Sequence, residues 1–213
     1  MSRTDRPGAG EVTGLLLAGG AGARMGADKA GLEFEGERLA RRVADRLAEV
    51  CGTVLVASGD GRRLAWLGLE QVADPIPRAG PLAGLVAGLE RAATSLVAVA
   101  AVDMPFASPA VLRLLLDRWS PGMDAVVPAT DRGLEPLHAI YVRSAGPALR
   151  AALESGERAV HRALDRLAGV TVVGPDGWRA ADPEGRFAFN VNRPEDLAGP
   201  APPDRRATDE APA

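Results

Sequence analysis

The sequence predicts an α/β fold: one three-layer domain, a mostly parallel sheet with helices on both faces. Three observations carry this. Short, wholly apolar runs of strand length recur along the chain, as strands buried on both faces require. Segments with helical apolar spacing separate them up to residue 103, the alternation of βαβ units. The residues with chemical character follow directly after the apolar runs, at the strand ends where open parallel sheets bind ligands.

Taken in order, VTGLLLA (12–18) reads as a buried strand. In 37–50, Leu39, Val43, Leu47 and Val50 repeat at helical spacing with Arg and Asp on the other face. TVLVAS (53–58) is a second strand, GRRLAWLG (61–68) a short helix and LEQVA (69–73) a third strand. PLAGLVAGLERAAT (81–94) is the next helix and SLVAVAAV (95–102) the next buried strand. SPAVLRLLLDRW (108–119) opens with Ser108 as N-cap and Pro109 in the first helical position. DAVVPA (124–129) and LHAIYV (137–142) are strands, 144–153 and 158–167 helices, and VTVVG (170–174) a last strand. Residues 1–11 and 199–213 have the polar, Pro- and Gly-containing make-up of disordered ends, which leaves one domain over 12–198.

With 46% apolar residues in 213, the chain can bury one substantial core. A net charge of −3 argues against a broad nucleic-acid face, which needs basic surface. One cysteine, Cys51, and two histidines allow neither an intrachain disulfide nor a Cys/His zinc site. No signal-type apolar region and no bilayer-length run is present. The expectation is a cytoplasmic protein with no membrane or nucleic-acid partner.

Of the 25 basic residues, Lys29 alone is a lysine, and the chain has only two asparagines, Asn190 and Asn192. Lys29 closes the stretch LAGGAGARMGADK after the first strand. Gly20, Gly22 and Gly26 give GxGxxxG there, neither a Walker A loop nor a dinucleotide fingerprint. Such a loop still offers backbone N–H groups to an anion. Arg24 and Lys29 beside it suit a polyphosphate, the first as a planar fork and the second as a compact point charge. Asp103 ends the strand 95–102 and precedes Met104-Pro105, a position fitted to hold Mg²⁺, which takes hard oxygens and keeps phosphate and water ligands. Asp74 begins an Asp-Pro turn and is either that or a ligand contact. Gly80 opens GPLAG, where backbone either approaches a base or ribose or packs tightly on the sheet. In FNVN (189–192), strand alternation puts Asn190 and Asn192 on one face. His138, inside an apolar strand, is either core or substrate-lining.

Read in order, LAGGAGARMGADK, DPIPRAGPLAG, VDMPF, EPLHAIYV and FNVNRPEDLA resemble the motifs of the MobA-type molybdenum cofactor guanylyltransferases over roughly 13–198. That family has a Rossmann-like, nucleotide-diphospho-sugar-transferase-like fold. The resemblance implies that Leu17, Ala18 and Gly19 line a nucleotide with backbone, with Gly20 and Gly80 in the same nucleotide-binding set. It implies that Arg24 and Lys29 hold the triphosphate of GTP, that Asp74 touches the nucleoside and that Asp103 binds Mg²⁺. Arg24, Lys29 and Asp103 are then the catalytic set, and Asn190 and Asn192 lie near the pterin substrate or the metal. The implied reaction is transfer of GMP from GTP to molybdopterin with release of pyrophosphate. Transient contact with proteins that supply molybdopterin or mature molybdoenzymes is implied too. Two departures stand out: Arg193 replaces the usual Thr of NxNTPEDL, and VASGD lacks the family's asparagine after the second strand, with Ser58 as a stand-in. The rival readings are a cytidylyl-, sugar-phosphate or phospholactate nucleotidyltransferase of the same fold, and a non-catalytic nucleotide-binding protein.

Overall fold

A computed structural model describes residues 7–19 and 29–199; Gly20, Gly22, Arg24 and Gly26 lie outside the described residues, as do positions 200–213. The elements in chain order are β1 (Val12–Leu17), β2 (Glu33–Phe34), β3 (Glu37–Arg38), α1 (Leu39–Ala48), β4 (Thr53–Gly59), β5 (Glu70–Ala73), α2 (Pro81–Arg91), β6 (Leu96–Ala101), α3 (Pro109–Arg118), β7 (Ala125–Thr130), β8 (Gly133–Leu134), β9 (His138–Val142), α4 (Gly146–Glu154), α5 (Val160–Ala163), β10 (Val170–Val173) and α6 (Pro175–Trp178). The main sheet has the order β10-β7-β9-β6-β1-β4-β5, with β8 paired to β7. β1 runs parallel to both β4 and β6, while β9 is inserted antiparallel between β6 and β7.

The strand sequences explain this centre. All six residues of β1 and all six of β6 are buried, so neither strand carries a polar face. Leu16 and Ala18 pack into the layer that holds α1 and α3, and Leu15 and Leu17 into the layer of α2 and α4. Helix α1 buries Leu39, Val43 and Leu47 on one side. Burying each such side chain stabilises the fold by about 2 kcal/mol before chain entropy is set against it. Helix α2 lies close to the sheet because it carries glycines on its inner face. A Cβ on Gly84 would sit 3.1 Å from Ala57 Cβ, and one on Gly88 would collide with the Leu15 side chain. That close approach brings the first turn of α2 to the ends of β4 and β5.

Several expectations need correction. Residues 61–68 form no α-helix, only a 3-10 turn, Ala65–Leu67, ended by Gly68 at φ +70. Glu37 and Arg38 are strand, paired with β2 around Glu35 and Gly36, both at positive φ. The helix expected over 158–167 is α5 followed by a 3-10 turn, Leu164–Arg166, because the Glu157 carboxylate accepts from the N–H groups of Arg158 and Ala159 and keeps them out of it. The lead-in is ordered further than expected: Ala9–Glu11 form a 3-10 turn closed by the Gly8 N–H on the Glu11 carboxylate, 2.7 Å. Residues 189–192 are not a ladder strand. Among the described residues no helix is long and apolar enough to cross a membrane.

Candidate active site

The carboxyl ends of β1, β4, β5 and β6 meet at one edge of the sheet. The Leu17 carbonyl accepts from Val102 N–H and the Ala18 N–H donates to Ala57 O, both at 2.9 Å, which clamps positions 17–19 between the loops after β4 and β6. Gly19 lies against the loops after β4 and β5: a Cβ there would be in ordinary contact with Asp74 Oδ2 at 3.4 Å and Gly59 N at 3.7 Å. Of these three residues only Gly19 is exposed, and its backbone lies beside the Asp74 carboxylate.

On the β6 side, Asp103 and Asn192 share one cation. Lys29 Nζ lies 3.2 Å from Asp103 Oδ2 and 3.1 Å from Asn192 Oδ1. Lys29 enters from a 3-10 turn, Lys29–Gly31, and Asn192 from the segment that follows Val191, whose N–H donates to Asp103 O at 2.8 Å. Val191 is buried, which pins that segment although no ladder holds it. The two asparagines then diverge, contrary to the single face expected of a strand. Asn192 reaches Lys29, while the Asn190 amide donates to Ala188 O, 3.0 Å. Arg193 does not spoil the turn after it, because Asp196 accepts from the N–H groups of Asn192 and Arg193 at 2.7 and 2.8 Å. Those bonds hold the Asp196 carboxyl below its usual range.

Arg42, which the sequence did not single out, braces the Asp103 loop. Its Nε donates to Pro105 O at 2.9 Å and its Nη2 to Glu35 at 2.6 Å. Its guanidinium lies over the rings of Phe34 and Phe106, 5.2 and 5.8 Å from the centroids. Phe106 in turn meets Phe189 edge-on, so the loops carrying Asp103 and Asn192 share one aromatic support.

On the β4 and β5 side, Asp74 is half-buried between Gly19 and Gly84, and its Oδ1 is buried with no hydrogen-bond partner among the described residues. Burial raises its carboxyl above the usual range, against the pull of Arg63. An orphaned buried acceptor costs about 1–3 kcal/mol and asks for a donor. Arg63 was also missed: its Nη2 donates to Ala18 O and its Nε to Ser58 O, 3.2 Å. Nothing in GDGRR distinguishes Arg63 from Arg62; only the Asp60 turn, which accepts from both N–H groups, aims one of them inward. Ser58 Oγ, the expected stand-in for an asparagine, is buried without a partner among the described residues.

Gly80 caps α2 at φ +78, where its missing Cβ leaves Arg158 O undisturbed; a Cβ would lie 3.3 Å away. It borders a cavity of about 890 Å³ that Met104, Asn190, Glu135, Arg158 and His161 also line. His138 is core, not lining. It is fully buried, packs on Phe187, and its Nε2 accepts from Ser108 N–H at 3.0 Å, while Ser108 Oγ caps α3 as expected. Burial pushes the His138 pKa down to about 4, so the ring is neutral.

The chain matches the family model described as MobA-like NTP transferase domain over residues 14–170. It is 40% identical over 190 residues to the probable molybdenum cofactor guanylyltransferase of Pelotomaculum thermopropionicum, covering 88% of this chain and 90% of that one. It is 31% identical to the molybdenum cofactor guanylyltransferase of Desulfosudis oleivorans, covering 87% and 92% of the two. Among solved structures it is similar to the molybdopterin-guanine dinucleotide biosynthesis protein A of Archaeoglobus fulgidus, with a TM-score of 0.77 and 31% identity over 87% of this chain and 95% of that one.

Proposed function

Since the chain belongs to the MobA-like NTP transferase family, we propose that it is a molybdenum cofactor guanylyltransferase, moving GMP from GTP to the terminal phosphate of molybdopterin with release of pyrophosphate. The observation that carries this reading is the meeting of Lys29, Asp103 and Asn192 at the sheet edge where β1 ends in the exposed Gly19 and where Met104 and Asn190 line the 890 Å³ cavity. A nucleotide on one side and an acceptor on the other have their phosphates at that cluster.

Nucleotidyl transfer needs alignment and charge neutralisation more than a covalent nucleophile. The attacking phosphate is already an anion, so no general base is needed, in accord with a core position for His138. In this reading the backbone of Leu17, Ala18, Gly19 and Gly20 holds the nucleoside, and the unpartnered Oδ1 of Asp74 accepts from it. Lys29, with Arg24, neutralises the triphosphate, and Gly80 lets backbone approach the ligand.

Asp103 and Asn192 fit Mg²⁺: they are hard oxygen donors already converging on one cation, the Lys29 ammonium. Mg²⁺ commonly takes one or two protein oxygens, with phosphate and water oxygens completing its shell. When bound there, Mg²⁺ supplies positive charge to the α-phosphoryl group and the departing pyrophosphate. The test is turnover of each of the four common nucleoside triphosphates with and without molybdopterin. GTP is expected to be consumed only with the acceptor present, and equal use of CTP would reassign the base.

A further inference from the structure

The cavity beside Gly80 has a defined polarity. Met104 and Asn190 line it at the end next to Asp103, since Met104 follows that aspartate and the Val191 N–H bonds to its carbonyl. The acceptor's reacting phosphate has to reach that end. The wall formed by β8 and the chain leading from it to β9 is different. There Leu134, 38% exposed and one of three large apolar side chains exposed among the described residues, lies next to Glu135, followed by the partly buried Leu137.

Glu135 is held firmly. Its N–H donates to Pro128 O at 2.9 Å and its carbonyl accepts from His138 N–H at 3.1 Å. Its Oε1 accepts from Thr130 Oγ1 at 3.1 Å. The carboxyl is partly buried, and that burial raises its pKa despite Thr130 and Arg132 nearby. The other acid on this cavity, Asp165, stands exposed on a 3-10 turn and lacks such fixing. A fixed, partly desolvated carboxylate beside apolar surface suits a flat heterocycle with adjacent N–H donors on one edge. A 2-amino-4-oxopteridine has that edge: its ring N3–H and its 2-amino group lie side by side.

We propose that Glu135 is the specificity residue for the acceptor, its carboxylate accepting from the N3–H and 2-amino group of the pterin while Leu134 packs on the ring face. This rests on the guanylyltransferase reading and extends it to how the acceptor's ring is recognised. Each carboxylate oxygen has two lone pairs, so the Thr130 bond on Oε1 leaves room for the ring donors. The same arrangement rejects a ring with acceptors on that edge, because a carboxylate facing acceptors is left unpaired in a partly desolvated place.

Steady-state kinetics at saturating GTP test it, with Glu135→Gln turning an N–H donor towards the ring donors. The molybdopterin KM is expected to rise about tenfold or more, the scale of a lost charge-assisted bond, with the GTP KM unchanged. The thermal shift produced by GTP and Mg²⁺ is expected to persist, showing an intact nucleotide site. Glu135→Asp, which keeps the charge, should fall between the two. If Glu135→Gln does not fold, Leu134→Ser on an exposed side chain carries the test, with an acceptor KM raised a few-fold. An unchanged acceptor KM, or an equal rise in the GTP KM, overturns the assignment while leaving the guanylyltransferase reading intact. Wild-type enzyme that makes no product from GTP and molybdopterin overturns both.

Discussion

Lys29→Met removes the charge on which Asp103 and Asn192 converge and keeps much of the side-chain bulk. Its effect on stability can be bounded from the geometry. The Lys29–Asp103 pair is 3.2 Å long, with side chains 21% and 24% exposed, so it is partly screened by solvent. Pairs near the surface contribute about 0.2–1 kcal/mol, and the lost bond to Asn192 adds about 1 kcal/mol at most. In a chain of this size about 1 kcal/mol moves Tm by roughly 2–4 °C, so Tm should fall by no more than about 8 °C. The effect on turnover is larger. A fixed donor aimed at charge that develops in the transition state contributes about 10² to 10³ in rate. Lys29→Met should therefore cut kcat by at least about a hundredfold while the enzyme still melts cooperatively, with kcat falling more than KM rises. Lys29→Arg should be nearly as slow, because a planar guanidinium cannot put one atom midway between two oxygens and its spread charge follows a departing pyrophosphate poorly. The assay is pyrophosphate release with GTP and molybdopterin, paired with a thermal scan. Lys29→Arg within a few-fold of wild type would show that the position supplies only generic charge. A Tm loss well beyond 10 °C in Lys29→Met would show that the residue is structural.

Asp74→Ala should raise the melting temperature of the ligand-free protein by a few degrees, because it removes a half-buried carboxylate whose Oδ1 has no partner among the described residues, and should shrink the shift produced by GTP with Mg²⁺; a lower ligand-free Tm with an undiminished GTP shift would contradict this. His138 has a folded pKa of about 4, below the unfolded value near 6.5, so its contribution is complete above about pH 6.5 and is lost as pH falls from there to 4, at up to about 1.4 kcal/mol per pH unit. His138→Phe should be less stable at pH 7, since Ser108 N–H loses its acceptor, yet lose less on acidification than wild type; melts at pH 7 and pH 5 with equal losses in both proteins would sink that reasoning.

The centre of the fold was legible because its strands and helices state their environment in short-range pattern. β1 and β6 are apolar throughout, α1 repeats at helical spacing, and Ser108-Pro109 marks the start of α3. Strand direction was less so: β9 reads like any other buried strand, and its antiparallel placement follows from topology that no local window holds. The β2–β3 hairpin has strands of two residues, too short for any period to register. The break before α5 depends on the Glu157 side chain accepting from the backbone, a competition that apolar spacing does not reveal.

The candidate site divides in the same way. Lys29 stood out because every other basic residue is an arginine, and Asp103 because it ends an apolar strand. Their 3.2 Å contact joins residues 74 positions apart, which no spacing encodes. Arg42 and Arg63 were invisible for the opposite reason: in an arginine-rich chain, one that braces a loop looks like one on a solvated face. Glu135 lay within a recognised motif, EPLHAIYV, but its fixing by Thr130 and the backbone of Pro128 exists only once β7 and β8 pair.

On the proposed reading, the Lys29, Asp103 and Asn192 cluster directs a nucleotidyl group, not a phosphoryl group, to the acceptor. Turnover of GTP with molybdopterin and Mg²⁺, with every phosphorus-containing product identified, tests it most directly. The expected products are pyrophosphate and a guanine dinucleotide of the pterin in equal amounts, neither formed without the acceptor. GDP or orthophosphate as the leaving product, or pyrophosphate released with no pterin dinucleotide formed, would contradict it.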